Sequence, residues 1–356
     1  MKNTTLITGL DIGSSKVTAV AAEVDRGMGF RVCAQVSFPS RGVSRGALTD
    51  LNESADSVSK TMAKLKEKIG ARPGNIYVNM NGETLSAERS KGMIPLSMRG
   101  REVTRGDIDR CINVASTIQL PFDRDVIHKI VHSFSIDDQP SIKNPLGLYA
   151  SRLACEMYVI TANVNQIQNI HKCVNDAGYD VKGLVFTGIA DGMGILTEAE
   201  KEEGAIILDV GSSLTVASMF YGGVLNDMAV IPIGMQDFRN DLKDDPEFNG
   251  LINKVSLIAE KFEKKIAKKV FIILTGGIAF SDVAIEILEA KLSASIKVGI
   301  ARDVKGDISS IDSMRLTTAI GLVRYGEDVY RKKILHHKNL VQNISTKLVD
   351  IFNNYF

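Results

Sequence analysis

No two cysteines of this 356-residue chain stand in a C-x-x-C spacing, and no run of apolar residues approaches the length that spans a bilayer. The four cysteines, Cys33, Cys111, Cys155 and Cys173, lie far apart with no metal-ligand cluster beside them, which argues against a zinc site or a disulfide framework. Charge of one sign is missing too: 43 basic against 42 acidic residues leave a net charge of +1, so nothing marks the chain as a nucleic-acid binder. The opening apolar stretch, MKNTTLITGLDIG, is too short and interrupted for a signal peptide, and a cytoplasmic protein is expected. Low-complexity segments are absent, and the eight prolines are scattered.

What is present is a repeat. LITGLDIGSSKVTAVAAE near the start returns as AIILDVGSSLTVASMF about 200 residues later. Each copy reads as an apolar strand, a D-x-G-S-S turn and a second strand, with the first pair predicted over 6–12 and 16–24. A helix over 51–70 shows Val58, Met62, Leu65 and Ile69 on one face and Gly70 as its stop. Residues 76–82 form the next strand. The polar stretch 251–269 reads as a helix, followed by the strand VFIIL and the segment TGGIAFSD.

The turns have the chemistry of a phosphate clamp. Gly13, Ser14 and Ser15, and Gly211, Ser212 and Ser213, bring backbone N–H groups and hydroxyls close to a polyphosphate. Lys16 supplies a point charge. Asp11 and Asp209, at the strand ends, face a magnesium ion from opposite sides, through its waters. Gly276 and Gly277, between an apolar strand and a helix, suit a nucleoside pressed against backbone. A single D-x-G-S-S is most often only a hairpin turn. Two copies followed by T-G-G, in that order, resemble the two phosphate loops and adenosine loop of the actin/Hsp70 superfold, an α/β two-lobe ATPase architecture.

Within that superfold the chain resembles the FtsA family, on GLDIGSSKV at 9–17, PSRGVSRGALTDL at 39–51, IKNPLGLYASRL at 142–153, VIPIG at 230–234 and LTGGIAFSD at 274–282. The resemblance implies a first-lobe core at 1–83, completed by 163–190 and part of 312–330, and an inserted FtsA-type subdomain at 84–162. It implies a second lobe at 191–311 whose 236–270 subdomain is reduced. It also implies ATP with magnesium in the interlobe cleft, self-assembly into filaments, the C-terminal tail of FtsZ as a partner, and a place on the cytoplasmic face of the inner membrane at the division site.

Two departures bear on the nucleotide. The second loop of the family resembles D-I-G-G-G-T with a further aspartate, whereas here Asp209-Val210-Gly211-Ser212-Ser213-Leu214-Thr215 has one glycine and no following aspartate. Serine resists φ > 0, so this loop is expected to stand farther from the phosphates. The segment from Gly234 to Leu274 is much shorter than its FtsA counterpart, and the glycine-and-acid motif that contacts base and ribose there is not visible. ATP binding with weak or absent hydrolysis is the expectation.

The last residues carry a separate signal. At 100° per residue, Val341, Ile344, Leu348, Ile351, Phe352 and Tyr355 fall on one arc, opposite Asn343, Lys347 and Asp350. RKKILHHK at 331–338 reads as a basic linker before this 339–356 helix. An amphipathic terminal helix commonly docks on its own core. Its place beyond the last expected core helix (316–329), behind basic residues, favours an interfacial membrane helix, with Lys347 on the headgroup side. Two other functions fit the superfold: a type IV pilus assembly scaffold, and a small kinase or ATPase. For a kinase Asp191, in GIADG, is the candidate base, although an aspartate at a helix start is more often a cap.

Overall fold

A computed structural model describes residues 4–25, 29–239, 241–306 and 308–342, the last nine of these as backbone only. Its contacts divide the chain into two units: residues 1–84 with 165–327, and residues 85–164 with those from Asp328 on.

The first unit carries the repeat into three dimensions. In its six-stranded sheet, Thr5–Ile12, Lys16–Val24 and Phe30–Pro39 form an antiparallel meander, and Ile76–Met80 and Val181–Phe186 continue it parallel to the first strand. The two-residue strand Lys305–Gly306 adds to the far edge. A five-stranded sheet repeats the order, with Ala205–Val210, Thr215–Tyr221 and Val224–Ile231 as the meander and Phe271–Gly276 and Ile296–Val298 as the parallel strands. The register repeats as well: Asp11 lies opposite Thr18, and Asp209 opposite Val216. Near-continuous apolar runs such as Val17 and Ala19–Ala22 are buried on both faces, as central strands of a layered α/β unit require.

Local signals set the helix ends. Asp50 caps helix Leu51–Ile69 by accepting from the Glu53 N–H (2.9 Å), and left-handed Gly70 ends it. Val58, Met62 and Leu65 are its buried stripe, as the spacing predicts. The helix expected over 251–269 runs instead from Pro246 to Ile266. Asp245 caps it through the Phe248 N–H (2.7 Å), and proline at the first helical position is pre-shaped for that role. Between Ile231 and Phe271 no strand occurs among the described residues. Among the described residues this stretch consists of that helix and one short 3-10 turn, Met235–Asp237.

The second unit is built on a four-stranded antiparallel sheet ordered Gln139–Ile142, Arg124–Ile136, Arg152–Asn163, Ser86–Pro95. Helix Arg105–Ser116 covers one face, burying Ile108, Cys111, Ile112 and Ala115 against Phe134, Leu153, Cys155 and Met157. The helix backbone comes so close that a Cβ on Gly92 would lie 2.3 Å from the Ala115 nitrogen.

Residues 331–338, read above as a linker, lie instead inside one helix, Thr317–Gln342, of 26 residues. RKKILHHK holds neither glycine nor proline, so nothing in it breaks the helix. The segment 343–356, with Ile344, Lys347, Leu348, Ile351, Phe352 and Tyr355, is outside the described residues, and Val341 is described only as helical backbone.

The start of this long helix seats against bare backbone. A Cβ on Gly9 would meet the Ala319 carbonyl oxygen at 2.2 Å, and one on Gly321 would meet the Ala190 oxygen at 1.8 Å. Alanine normally gains about 1 kcal/mol over glycine inside a helix. Here neither backbone can yield, so overpacking wins, and Gly321→Ala is expected to destabilise the protein by about 1–3 kcal/mol. A urea midpoint at or above that of the wild type would contradict this packing.

Candidate functional site

The two repeated turns face each other across a cavity of about 380 Å³, within the range of small-molecule sites. Each turn is closed by the same bond. The Gly13 N–H donates to the Lys16 oxygen at 3.0 Å, and the Gly211 N–H to the Leu214 oxygen at 3.0 Å. Neither Ser212 nor Ser213 has positive φ, and nor do Ser14 and Ser15. The backbone strain on which the expected displacement of the second loop rested is therefore absent. The turn needs no left-handed residue, so a Cβ costs nothing there.

The loops touch directly. The Ser14 and Ser213 hydroxyls share a 2.7 Å hydrogen bond, and Ser213 Oγ also accepts from the Arg45 N–H at 2.9 Å. Backing the second loop, the Met235 N–H reaches the Gly211 oxygen (2.9 Å) and the Gln236 N–H the Ser212 oxygen (2.8 Å). This close approach explains Gly234 of VIPIG, where a Cβ would lie 2.5 Å from the Ser212 oxygen. Gly276, at φ 82°, brings the third element in. A Cβ there would lie 2.4 Å from the Val210 oxygen and 2.6 Å from Asp209 Oδ1.

All nine residues expected to hold a nucleotide, together with Asp11 and Asp209, line this one cavity. Asn79, Thr187, Phe280, Arg315, Thr317 and Thr318 line it too, and the sequence reading missed them. Asn79 had a signal, being polar at the end of an apolar strand; its Oδ1 accepts the Ile12 N–H at 2.7 Å and so steadies the first loop. Arg315, stacked 5.3 Å from the centroid of the Phe280 ring, had none.

Asp191 is the main correction. It is not a helix-start cap: helix Thr187–Ile195 has Phe186 in that place, and Asp191 lies within the helix with no solvent exposure. One carboxyl oxygen accepts from the Thr318 hydroxyl at 2.7 Å, and Oδ2 has no partner among the described residues. Burial is the largest cause of its raised pKa, and the Asp209 and Asp11 charges add to it. Asp11 is pushed up to about 6 by burial, against the pull of Lys16. Asp209 is raised by burial and by Asp11, and lowered by Lys16. The acidic floor of the site is thus Asp11 and Asp209, with Asp191 buried behind Thr318 and Lys16 as the nearby cation.

Hard oxygen donors short of positive charge fit a magnesium ion. Among the described residues no three acidic, histidine or cysteine side chains converge closely enough to hold a metal alone. The fit is therefore to an ion held by Asp11 and Asp209, completed by water and phosphate oxygens, as magnesium prefers. The Gly276 cradle and the paired loops likewise fit a nucleoside and its phosphates.

The family model for the SHS2 domain inserted in FtsA matches residues 82–161. The FtsA of Pseudomonas aeruginosa is 26% identical, with 90% of this chain aligned to 89% of that protein. Those of Borreliella burgdorferi and Escherichia coli K12 are 32% and 30% identical over 67% of this chain, and the aligned part spans only 57% and 56% of their length. Among solved structures, a PilM–PilN type IV pilus biogenesis complex superposes with a TM-score of 0.66 at 13% identity, covering 90% of this chain and 98% of that one. The ethanolamine utilization protein EutJ of Carboxydothermus hydrogenoformans gives 0.51 at 13%, covering 90% of each. At such identity these likenesses bear on the fold alone. With the duplicated sheets they establish the actin/Hsp70-like class carrying an FtsA-type insert.

Each raised carboxyl holds its proton more tightly in the fold than in the unfolded chain. The stability this gives is complete below the ordinary value of 3.8 and is lost as pH rises through about 6 at Asp11, and through the raised range of the Asp191–Asp209 pair. Melting of the ligand-free protein across pH 5–8 should therefore decline less steeply in Asp209→Asn than in the wild type. Identical slopes would contradict a strained acidic floor.

Proposed function

The chain is a divergent relative of FtsA, and from that premise we propose that it is an actin-like scaffold of bacterial cell division. The observation that carries the reading is the pair of D-x-G-S-S loops sealed across one cavity, in a chain that also carries the SHS2 insert. The cavity takes ATP with magnesium. When bound, the nucleotide and its ion supply the charge that ties one lobe to the other.

The residues have separable tasks. The N–H groups and hydroxyls of the two turns grip phosphate oxygens in place of their own Ser14–Ser213 bond. Lys16 offsets phosphate charge, and Asp11 and Asp209 orient the water shell of the ion. Gly276 and Gly277 let the nucleoside lie against the backbone. The acidic side chains lining the cavity are Asp11 and Asp209, and in this reading they serve the ion and not a substrate hydroxyl. Asp191, a kinase base in the alternative reading, is shielded behind Thr318. In this reading the site serves as a hinge, with hydrolysis slow or absent.

Outside the cavity, the finer proposal is an adaptor that polymerises with itself, binds the FtsZ tail and lies on the cytoplasmic face of the inner membrane. The helix Thr317–Gln342 delivers the terminal segment without a flexible break. Of its basic residues, Lys332 is paired with Asp328 at 2.8 Å, which lowers its value to a lipid surface. A cation near an anionic leaflet gives at most about 1 kcal/mol. One copy is then a weak anchor, and a filament multiplies it by avidity.

Electron microscopy on an anionic lipid monolayer with Mg-ATP tests both parts. Ordered filaments are expected for the full chain and none for a chain ending at residue 338. Filaments that persist without 339–356 would sink the tether, and the absence of any polymer with or without lipid would sink the scaffold.

A further inference from the structure

Between the first sheet and helix Leu51–Ile69 the chain makes a small hairpin, Val43–Ser44 paired with Ala47–Leu48. Its tip is unusual. Arg45 and Gly46 are both left-handed, at φ 47° and 73°, a conformation that arginine adopts only at some strain. Such strain persists where surrounding contacts hold it.

The tip is fixed on one side and reaches across on the other. Gln166 Nε2 donates to the Gly46 oxygen (2.9 Å) and to the Asn81 oxygen (2.7 Å). A Cβ on Gly46 would lie 2.7 Å from the backbone of Asn81 and of Gly82, so the tip packs closely against that segment. Gly46 itself lines the cavity. From this anchored position the Arg45 N–H donates to Ser213 Oγ, the same buried hydroxyl that meets Ser14. First loop, second loop and hairpin thus converge on one oxygen at the closed end of the clamp. None of the sequence-expected site residues includes this hairpin.

Charge gives the convergence a purpose. The cations lining the cavity, among the described residues, are Lys16 and Arg315, and Arg315 already lies over Phe280. A third phosphoryl group brings more negative charge to a site floored by carboxyls. Arg45 adjoins Gly46 of the cavity wall, and its guanidinium is half-exposed, with a long 3.7 Å contact to Glu83. An exposed pair of that length is weak and readily exchanged for a phosphate, whose oxygens suit the guanidinium fork.

Resting on the nucleotide reading above, we propose that the Arg45–Gly46 tip is a sensor of the terminal phosphate. With a nucleoside triphosphate bound, the Arg45 N–H and guanidinium donate to the third phosphoryl group. With a diphosphate they return to Ser213 and Glu83. The hairpin therefore sets a preference between the two ligands without being needed to bind either.

Equilibrium titration of the full chain with ADP and with a non-hydrolysable ATP analogue, both with magnesium, tests this. In Arg45→Ala the affinity for the triphosphate is expected to fall about tenfold, with that for ADP within about twofold. Glu83→Gln, which frees the guanidinium, is expected to keep or raise the triphosphate preference. An unchanged affinity ratio in Arg45→Ala, equal losses for both ligands, or a Glu83→Gln protein that behaves like Arg45→Ala would overturn the sensor while leaving the nucleotide site standing. A wild-type chain that binds neither ligand would overturn both.

Discussion

Burial of carboxyls at the ends of duplicated strands is the constraint on which the candidate site depends. Asp11 and Asp209 occupy matching places in two sheets of the same strand order, and Asp191 joins them from a helix. Charges brought this close in a low-dielectric setting are costly unless a cation or a proton intervenes. Lys16 offsets part of that cost, and protons held well above the ordinary carboxyl range offset more. The remaining deficit of positive charge is what a magnesium-bound phosphate chain would supply. The most ordered feature of the fold is thus also its least self-sufficient.

Glycine distribution follows from the same centre. Gly234 and Gly276 let neighbouring backbone close on the second loop, and Gly9 and Gly321 let the terminal helix start directly against the strands and helix that bear the acids. Thr275 and Thr317 join hydroxyls at 2.9 Å where that helix begins, so its first turn belongs to the cavity wall. The helix that begins there has 26 residues, a length of about 39 Å. The SHS2 insert has a core of its own.

Much of this was legible in the sequence because it is local or repeated. The D-x-G-S-S copies revealed the paired loops, and their chain separation of 199 residues at the Ser14–Ser213 contact measures how far a repeat can see. The Val58–Met62–Leu65 spacing and the Gly70 stop placed their helix well. Asp191 was misread because its meaning lies in Thr318 and Asp209, partners far along the chain that no local pattern announces. Arg45 was invisible for the same reason. The supposed linker at 331–338 was misjudged on charge, when the absence of a helix breaker was the better guide. Helix Pro246–Ile266 was begun too late because the Asp245–Pro246 start signal was overlooked.

The central claim is that the acidic floor exists to receive a metal-bound phosphate chain. Calorimetric titration of ATP into the ligand-free protein at pH 7, with magnesium and with a chelator, in buffers of different ionisation enthalpy, tests it directly. Binding that requires the divalent cation and releases protons, seen as a buffer-dependent heat, is predicted. Binding that ignores the cation and shows no buffer dependence, or no binding under either condition, would contradict it.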